Sequence, residues 1–445
     1  MAKTRLEEFP QEHPLRRQLN DELHARKFNH FEGTGRFIRY VYFTQGDDKR
    51  LLRDINKLLV SLKLREMAQD EKFIRQEADG FAVRVERHTE FMSLSIIDGD
   101  DKPQTGLNNK AFDEAAFPHL PFDKIKALGH LLFHAMWLEI CQMPKKHPAA
   151  NEMESALQGR SVAGDYISSG GAQLYASFDI DEAGYSRVAL MNDAIAGHRM
   201  GRVIQRVIEM ETYRLMALLS LPKVKYHSPA LDKIEDDLKG ATRTLSRVQH
   251  DDKAAQNVED ADALLSQLTG LAADVEQIYS ETSYRFSASL AYQDIVDARI
   301  ASLKTSRLNG YQSIGGFLAK RMQPAMQSME AFARRIEHLS KRISRAGQLQ
   351  RSQTELSLQI QNRDLLTSMN KRTSAQLRLQ QTVEGLSLAA LTYYGVGLVG
   401  YVAEGLPIGV SVKVVKAIAV PVVALLVYVV IKRVKRSLAE APSQD

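Results

Sequence analysis

Glu86, His88 and Glu90 alternate along the run Phe81–Ile97, and alternation on a β-strand puts every second side chain on one face. Two carboxylates and an imidazole presented together could offer three ligands to a divalent cation. Arg84 and Arg87 stand in the same run, however, and their charge opposes a cation there. The plainer reading is a solvated or salt-bridged strand face. His130 and His134 have the i, i+4 spacing that brings two imidazoles together if Phe122–Cys141 forms the mostly apolar helix its composition suggests. No acidic residue follows in the H-E-x-x-H manner, and Leu, Phe, Met and Trp surround the pair, as they surround packed histidines. Arg202, Arg206, Glu209, Glu211 and Arg214 crowd a single helical run, where spacings of three and four make ordinary ion pairs. An anion-binding arginine pair is the sharper alternative, and an inter-helix ion network the safer one.

Other motifs fail on context. Gly395-Val396-Gly397-Leu398-Val399-Gly400 spells G-x-G-x-x-G, but a dinucleotide site needs it between a strand and a helix N-terminus. Here it lies inside an uncharged run, where glycines let helices pack closely. Cys141, the only cysteine, has no neighbour in sequence that would activate it. No G-x-S-x-G, P-loop or H-E-x-x-H occurs. The expectation is a protein that is not an enzyme and carries no cofactor.

The elements that must position these residues begin with His13–Phe28, which reads as a short amphipathic helix with Leu15, Leu19 and Leu23 on one side. Arg36–Thr44 reads as a strand, Leu51–Gln69 as a helix, and Phe81–Ile97 as one long alternating strand. Gln173–Ile180 and Tyr185–Met191 flank the turn Asp181-Glu182-Ala183-Gly184 and read as a hairpin. Gly201–Leu221 reads as a helix stopped by Pro222, followed by two helical stretches over Ala230–Arg307. From Met326, apolar residues Met329, Phe332, Ile336, Leu339, Ile343, Ala346 and Leu349 alternate at threes and fours, the seam of a coiled coil. No Pro or Gly interrupts Gln348–Glu384. A helix of about 80 residues from Pro324 would reach roughly 120 Å, which partner helices would have to cover. Polar residues Gln359, Gln361, Asn362, Gln376, Gln380 and Gln381 on it could fix register.

The chain ends in two apolar runs. Gly385–Ala403 has no charged side chain, and Val414–Ile431 carries only Lys416. Each approaches the roughly 20 residues that cross a bilayer core about 30 Å thick. Lys371, Arg372 and Arg378 precede the first run and Lys432, Arg433, Lys435 and Arg436 follow the second, which places both ends of the hairpin in the cytoplasm. The 445 residues carry a net charge of +5, much of it in the C-terminal tail. Lipid headgroups account for that tail charge, and the absence of a basic stripe interleaved with aromatics argues against nucleic acid. A single cysteine suits a reducing compartment, and the N-terminal stretch lacks the apolar core of a cleaved signal peptide.

Four stretches together resemble a bacterial family, domain-of-unknown-function family 3422, described as membrane-anchored. They are HPLRRQLNDELHAR (13–26), ERHTEF (86–91), GRVIQRVIEMETYRLMALLSLP (201–222) and QLRLQQTVEGLSLAALTYYGVGLVGY (376–401). Lys27 stands where that family usually has a proline. The family name implies no activity. The layout is also similar to that of CorA-type magnesium channels, although the Gly-Met-Asn triplet that ends their first span is replaced here by Tyr401-Val402-Ala403-Glu404-Gly405.

The resulting expectation is an α+β fold in a CorA-like layout. It comprises an N-terminal α+β cytoplasmic domain (1–200), a helical middle (201–323), a stalk helix (324–384), a transmembrane hairpin (385–436) and a tail (437–445). It would be a multi-pass protein of the bacterial inner membrane, both termini cytoplasmic, acting as a structural or sensory homo-oligomer. The alternative is a cation channel in which Tyr393, Tyr394, Gly397, Tyr401 and Glu404 line or cap a path; Lys413 and Lys416 beside that mouth oppose it. Partners are then the lipid bilayer and further copies of the chain, with a divalent cation as the candidate ligand.

Overall fold

Arg36–Phe43 is almost wholly buried because it forms the middle of a sheet rather than an edge. The computed structural model describes residues 13–17, 20, 30–44, 48–250, 258–405 and 411–439. The strands are β1 (Gly35–Phe43), β2 (Phe73–Glu77), β3 (Ala82–Arg87), β4 (Phe91–Gly99), β5 (Leu132–Gln142), β6 (Ala163–Ile167), β7 (Ala172–Ile180), β8 (Ser186–Asn192) and β9 (Ser306–Arg307). They form a nine-stranded sheet in the order β2-β3-β4-β1-β5-β8-β7-β6-β9. Among the described strands β5 and β8 run parallel, and every other neighbouring pair is antiparallel. The helices are α1 (Lys49–Ser61), α2 (Phe122–Lys126), α3 (Ala150–Ala156), α4 (Gly197–Ala217), α5 (Ser220–His250), α6 (Val258–Ser302), α7 (Ile314–Gly405) and α8 (Val412–Ala439). The fold is mixed α+β, with the sheet first, long helices after it and two apolar helices at the end.

Register divides the sheet into two unlike faces. Val83, Val85, Leu94, Ile96, Ile38, Tyr40, Ala135 and Trp137 share one face and join Leu51, Ile55 and Leu59 of α1 in an apolar core. The opposite face aligns Arg84, Ser95 and Arg39, and beside them Glu86 and Ser93, all buried. β3 thus alternates between apolar and charged side chains and the middle of β4 between apolar side chains and serines, and a slip of one residue would exchange their two faces.

Several elements differ from the sequence expectation. Phe81–Ile97 is two strands, broken at His88–Glu90, where the His88 amide donates to the Phe91 carbonyl at 2.8 Å. Of the helix expected over Phe122–Cys141 only α2 is helical, and the remainder is β5. β5 lies between β1 and β8, buried on both faces, so its run is apolar apart from His134 and Glu139 and shows no period to separate strand from helix. α1 ends at Ser61, short of Gln69. Pro222 stops nothing, because it sits in the first turn of α5, where a helix has no use for the missing N–H. The β7–β8 hairpin forms at the expected turn: Gly184 adopts φ +93°, and the Asp181 carboxylate accepts from the Tyr185 amide at 2.7 Å. In the expected first helix Leu15–Arg17 are helical, whereas Leu19 and Leu23 lie outside the described residues.

The chain divides into two units, residues 1–241 with 268–345, and residues 242–267 with 346–445. In the first, Met329, Phe332, Ile336 and Leu339 of α7 are buried within a single chain. The Phe332 ring meets Phe286 of α6 edge-on, and Arg335 donates to Asp232 and Glu235 of α5 at 2.7 and 2.9 Å. The chain's own helices therefore cover this part of the seam, not a partner. In the second unit Gln350 bonds the Ala261 carbonyl at 3.3 Å, and Leu349, expected on the seam, is exposed.

Candidate functional site

The tight turn between β3 and β4 is where the most distant parts of the first unit meet. Glu90 leaves the turn buried, and its carboxylate accepts from both Arg285 guanidinium ends and from the Tyr292 hydroxyl at 2.5 Å, all on α6. Burial, reinforced by Glu90, pushes the Tyr292 hydroxyl far above an ordinary phenol. His88 stacks on Phe91 with ring centroids 4.0 Å apart. Phe91 meets the edge of Tyr213 on α4, and Tyr213 stacks on Tyr292 at 5.4 Å. Arg87 grips Asp48, ahead of α1, through two nitrogens at 2.7 and 3.1 Å. Around these groups lies an open groove of about 470 Å³, with Lys72, Asp70 and Thr89 also on its wall. Its mixed charge and aromatic floor suit a small polar ligand that stacks.

The three expected cation ligands do not converge. Glu86 points to the buried face, between Arg39 at 2.7 Å and Arg84 at 2.6 Å. Burial alone would raise its pKa, but the two guanidiniums override burial and hold the carboxyl well below the usual range. Glu90 is committed to α6, and His88 lies in the turn between them. Among the described residues no three His, Cys, Asp or Glu side chains assemble as a metal site.

The second pair separates too. His130, just before β5, contacts Asp54 of α1 at 2.9 Å; with Lys57 it draws that carboxyl down to about 2. His134 lies within β5 under α4, 3.9 Å from Glu211, and its Nε2 has no hydrogen-bond partner. Burial keeps its pKa far below that of a free imidazole, so it is neutral. Glu211 in turn accepts from Arg214 at 2.8 Å, and Glu209 pairs with Arg299 of α6. These charges are the inter-helix ion network expected of α4. Cys141 is buried on β5, and burial pushes its thiol up to about 12.

One cluster escaped the sequence reading. Arg36, its guanidinium 3.6 Å from the Phe117 ring centre, holds Asp98, Asp100 and Glu139 around it. Burial pushes Glu139 up to about 7, against Arg36 and a 2.8 Å hydrogen bond from the Trp137 indole. Two arginines at alternating registers of an otherwise apolar strand, Arg36 and Arg39, were the available signal.

In the second unit, α7 and α8 each contain a stretch long and apolar enough to cross a membrane, and only 11 % and 6 % of those stretches is buried. Gly395 and Gly400 face α8: a Cβ on Gly395 would come 2.6 Å from Val423, and one on Gly400 would overlap the Lys416 side chain. Gly397 has nothing within 4 Å. Tyr393, Tyr394 and Tyr401 are exposed, and Glu404 accepts from Lys416 at 3.3 Å.

The profile of a family of proteins of unknown function, DUF3422, matches residues 11–438. No curated protein matches the chain. The match takes in the hairpin turn, the α4 network and both apolar helices, and on it the chain belongs to the DUF3422 family.

Proposed function

We propose that this protein is a non-enzymatic, membrane-anchored homo-oligomer that couples a cytoplasmic α+β unit to a bilayer-spanning hairpin. The observation that carries this reading is the pair of apolar helices whose surfaces find almost no cover within the chain. The basic run from Lys432 onward supports a cytoplasmic end, and with it both termini on the inner side of a bacterial inner membrane. The sensory half of the reading rests on the groove at the β3–β4 turn. A ligand there would touch Tyr213 and Tyr292 at once, and so bear on the packing of α4 and α6.

The cation-channel alternative needs Glu404 turned to an axis as an acidic ring. Its pairing with Lys416 of the same hairpin supplies a cancelling charge at each copy and favours the anchor.

Membrane fractionation tests the anchor. Full-length chain is expected in the pellet after alkaline carbonate washing, and a chain ending before Gly385 in the supernatant. Full-length chain extracted by carbonate, or a truncated chain that stays in the membrane, overturns the reading.

A further inference from the structure

Beyond the part of α7 that the chain covers itself, a second seam begins on another side of the helix. Leu358, Asn362, Leu365, Met369, Arg372, Gln376, Leu379, Val383 and Leu386 follow an unbroken alternation of fours and threes. The covered seam, continued from Met329 through Ala346 and the buried Gln350, would pass through 353, 357 and 360, so the two are out of phase. Leu358, Leu365, Met369, Leu379, Val383 and Leu386 are all exposed.

Charge is sorted around this stretch. Six charged residues occur between Leu358 and Leu386, and five of them (Arg363, Asp364, Lys371, Arg378 and Glu384) lie off the seam and off the positions flanking it. The flanking positions, from Gln359 and Gln361 to Gln380 and Thr382, are uncharged throughout. A solvated helix has no reason to clear charge from one side for about 42 Å. Near its far end the seam opens into a groove of about 610 Å³ along Gln376, Leu379 and Val383, closed on one side by Ile431 of α8.

We infer that this band is the interface between copies of the chain, packed in parallel and in register. The inference rests on the reading that α7 continues into a membrane span. Any partner must then bring a helix of equal length, with an equally uncharged band, ending at the same bilayer height. A second copy meets all three conditions by symmetry. Symmetry sets Asn362 against Asn362 and Gln376 against Gln376, amides that donate to and accept from one another and so fix register. The flanks carry no charges to select a direction, so the shared anchor selects it. Arg372 meets its own copy and is the weak point of the seam.

Single-cysteine cross-linking in membranes tests this, in a Cys141→Ala background. Leu365→Cys, Met369→Cys and Leu379→Cys are expected to give a disulfide-linked species of twice the chain mass on mild oxidation. Thr367→Cys and Ser374→Cys, on the opposite side of the helix, are expected to give none. Equal cross-linking at both sets, none at either, or products of any other mass overturns the seam. Carbonate extraction and native mass of the same samples separate the failures. A membrane-bound multimer without the periodic pattern removes only the seam, whereas an extractable monomer removes the anchored oligomer as well.

Discussion

Glu139 shows how a buried acid can oppose the fold it belongs to. Its folded pKa of about 7 lies above the ordinary 4.5, because burial outweighs the help of Arg36 and the Trp137 indole. A raised acid holds its proton more tightly when folded, so its contribution is complete below pH 4.5 and is lost as pH rises through 7. The loss amounts to about 3 kcal/mol at most. His134 acts in the opposite sense, since a base with a depressed pKa withdraws stability as pH falls below 6.5. Comparing Glu139→Gln with the parent chain isolates the first effect. The variant's melting temperature is expected to gain on the parent's between pH 5 and 7.5, and parallel curves would show that Glu139 does not titrate there. At this scale the sequence was a poor guide. The types at Glu86, His88 and Glu90 were plain, but their directions depended on a turn containing no Gly, Pro or Asn. The arginines that claim Glu86 and Glu90 include Arg39 and Arg285, and nothing in linear spacing announces partners 47 and 195 residues away.

Among elements, the terminal helices were the most legible because length without charge has few structural meanings. The glycines there divide by environment, and substitution should expose the division. Gly395→Leu must push against Val423 and is expected to lower the melting temperature of detergent-solubilised protein. Gly397→Leu enters open space and is expected to leave it unchanged. Equal effects would mean that the two helices do not pack through Gly395. The strands were legible in proportion to their one-sidedness. β7 and β8 carry a turn with its own chemistry, Asp181 through Gly184. β5 offered a run apolar on both faces but for His134 and Glu139, and from such a run the period cannot be recovered. The seam on α7 was legible as a pattern but not as a partnership. Met329 to Leu339 spend it on α5 and α6 of the same chain, and sequence has no mark for intramolecular against intermolecular.

For the molecule as a whole, the order of classes was readable: sheet first, long helices next, apolar pair last. The strand order was not, because β1 pairs with β4 and β5 across loops that no local signal spans. That placement has a consequence for synthesis. β1 leaves the ribosome before either neighbour, and it waits for β5 through about a hundred residues, roughly 5–20 s at 5–20 residues per second. Until β4 has emerged both edges of this largely apolar strand stand open with Arg36 and Arg39 unpaired, and until β5 follows one edge remains open, the kind of segment that holdase chaperones shelter. Stalled nascent chains of increasing length should therefore remain open to protease at 35–43 until Gln142 has cleared the exit tunnel. Protection already at lengths that expose β4 but not β5 would mean that pairing with β4 alone is enough to shelter β1.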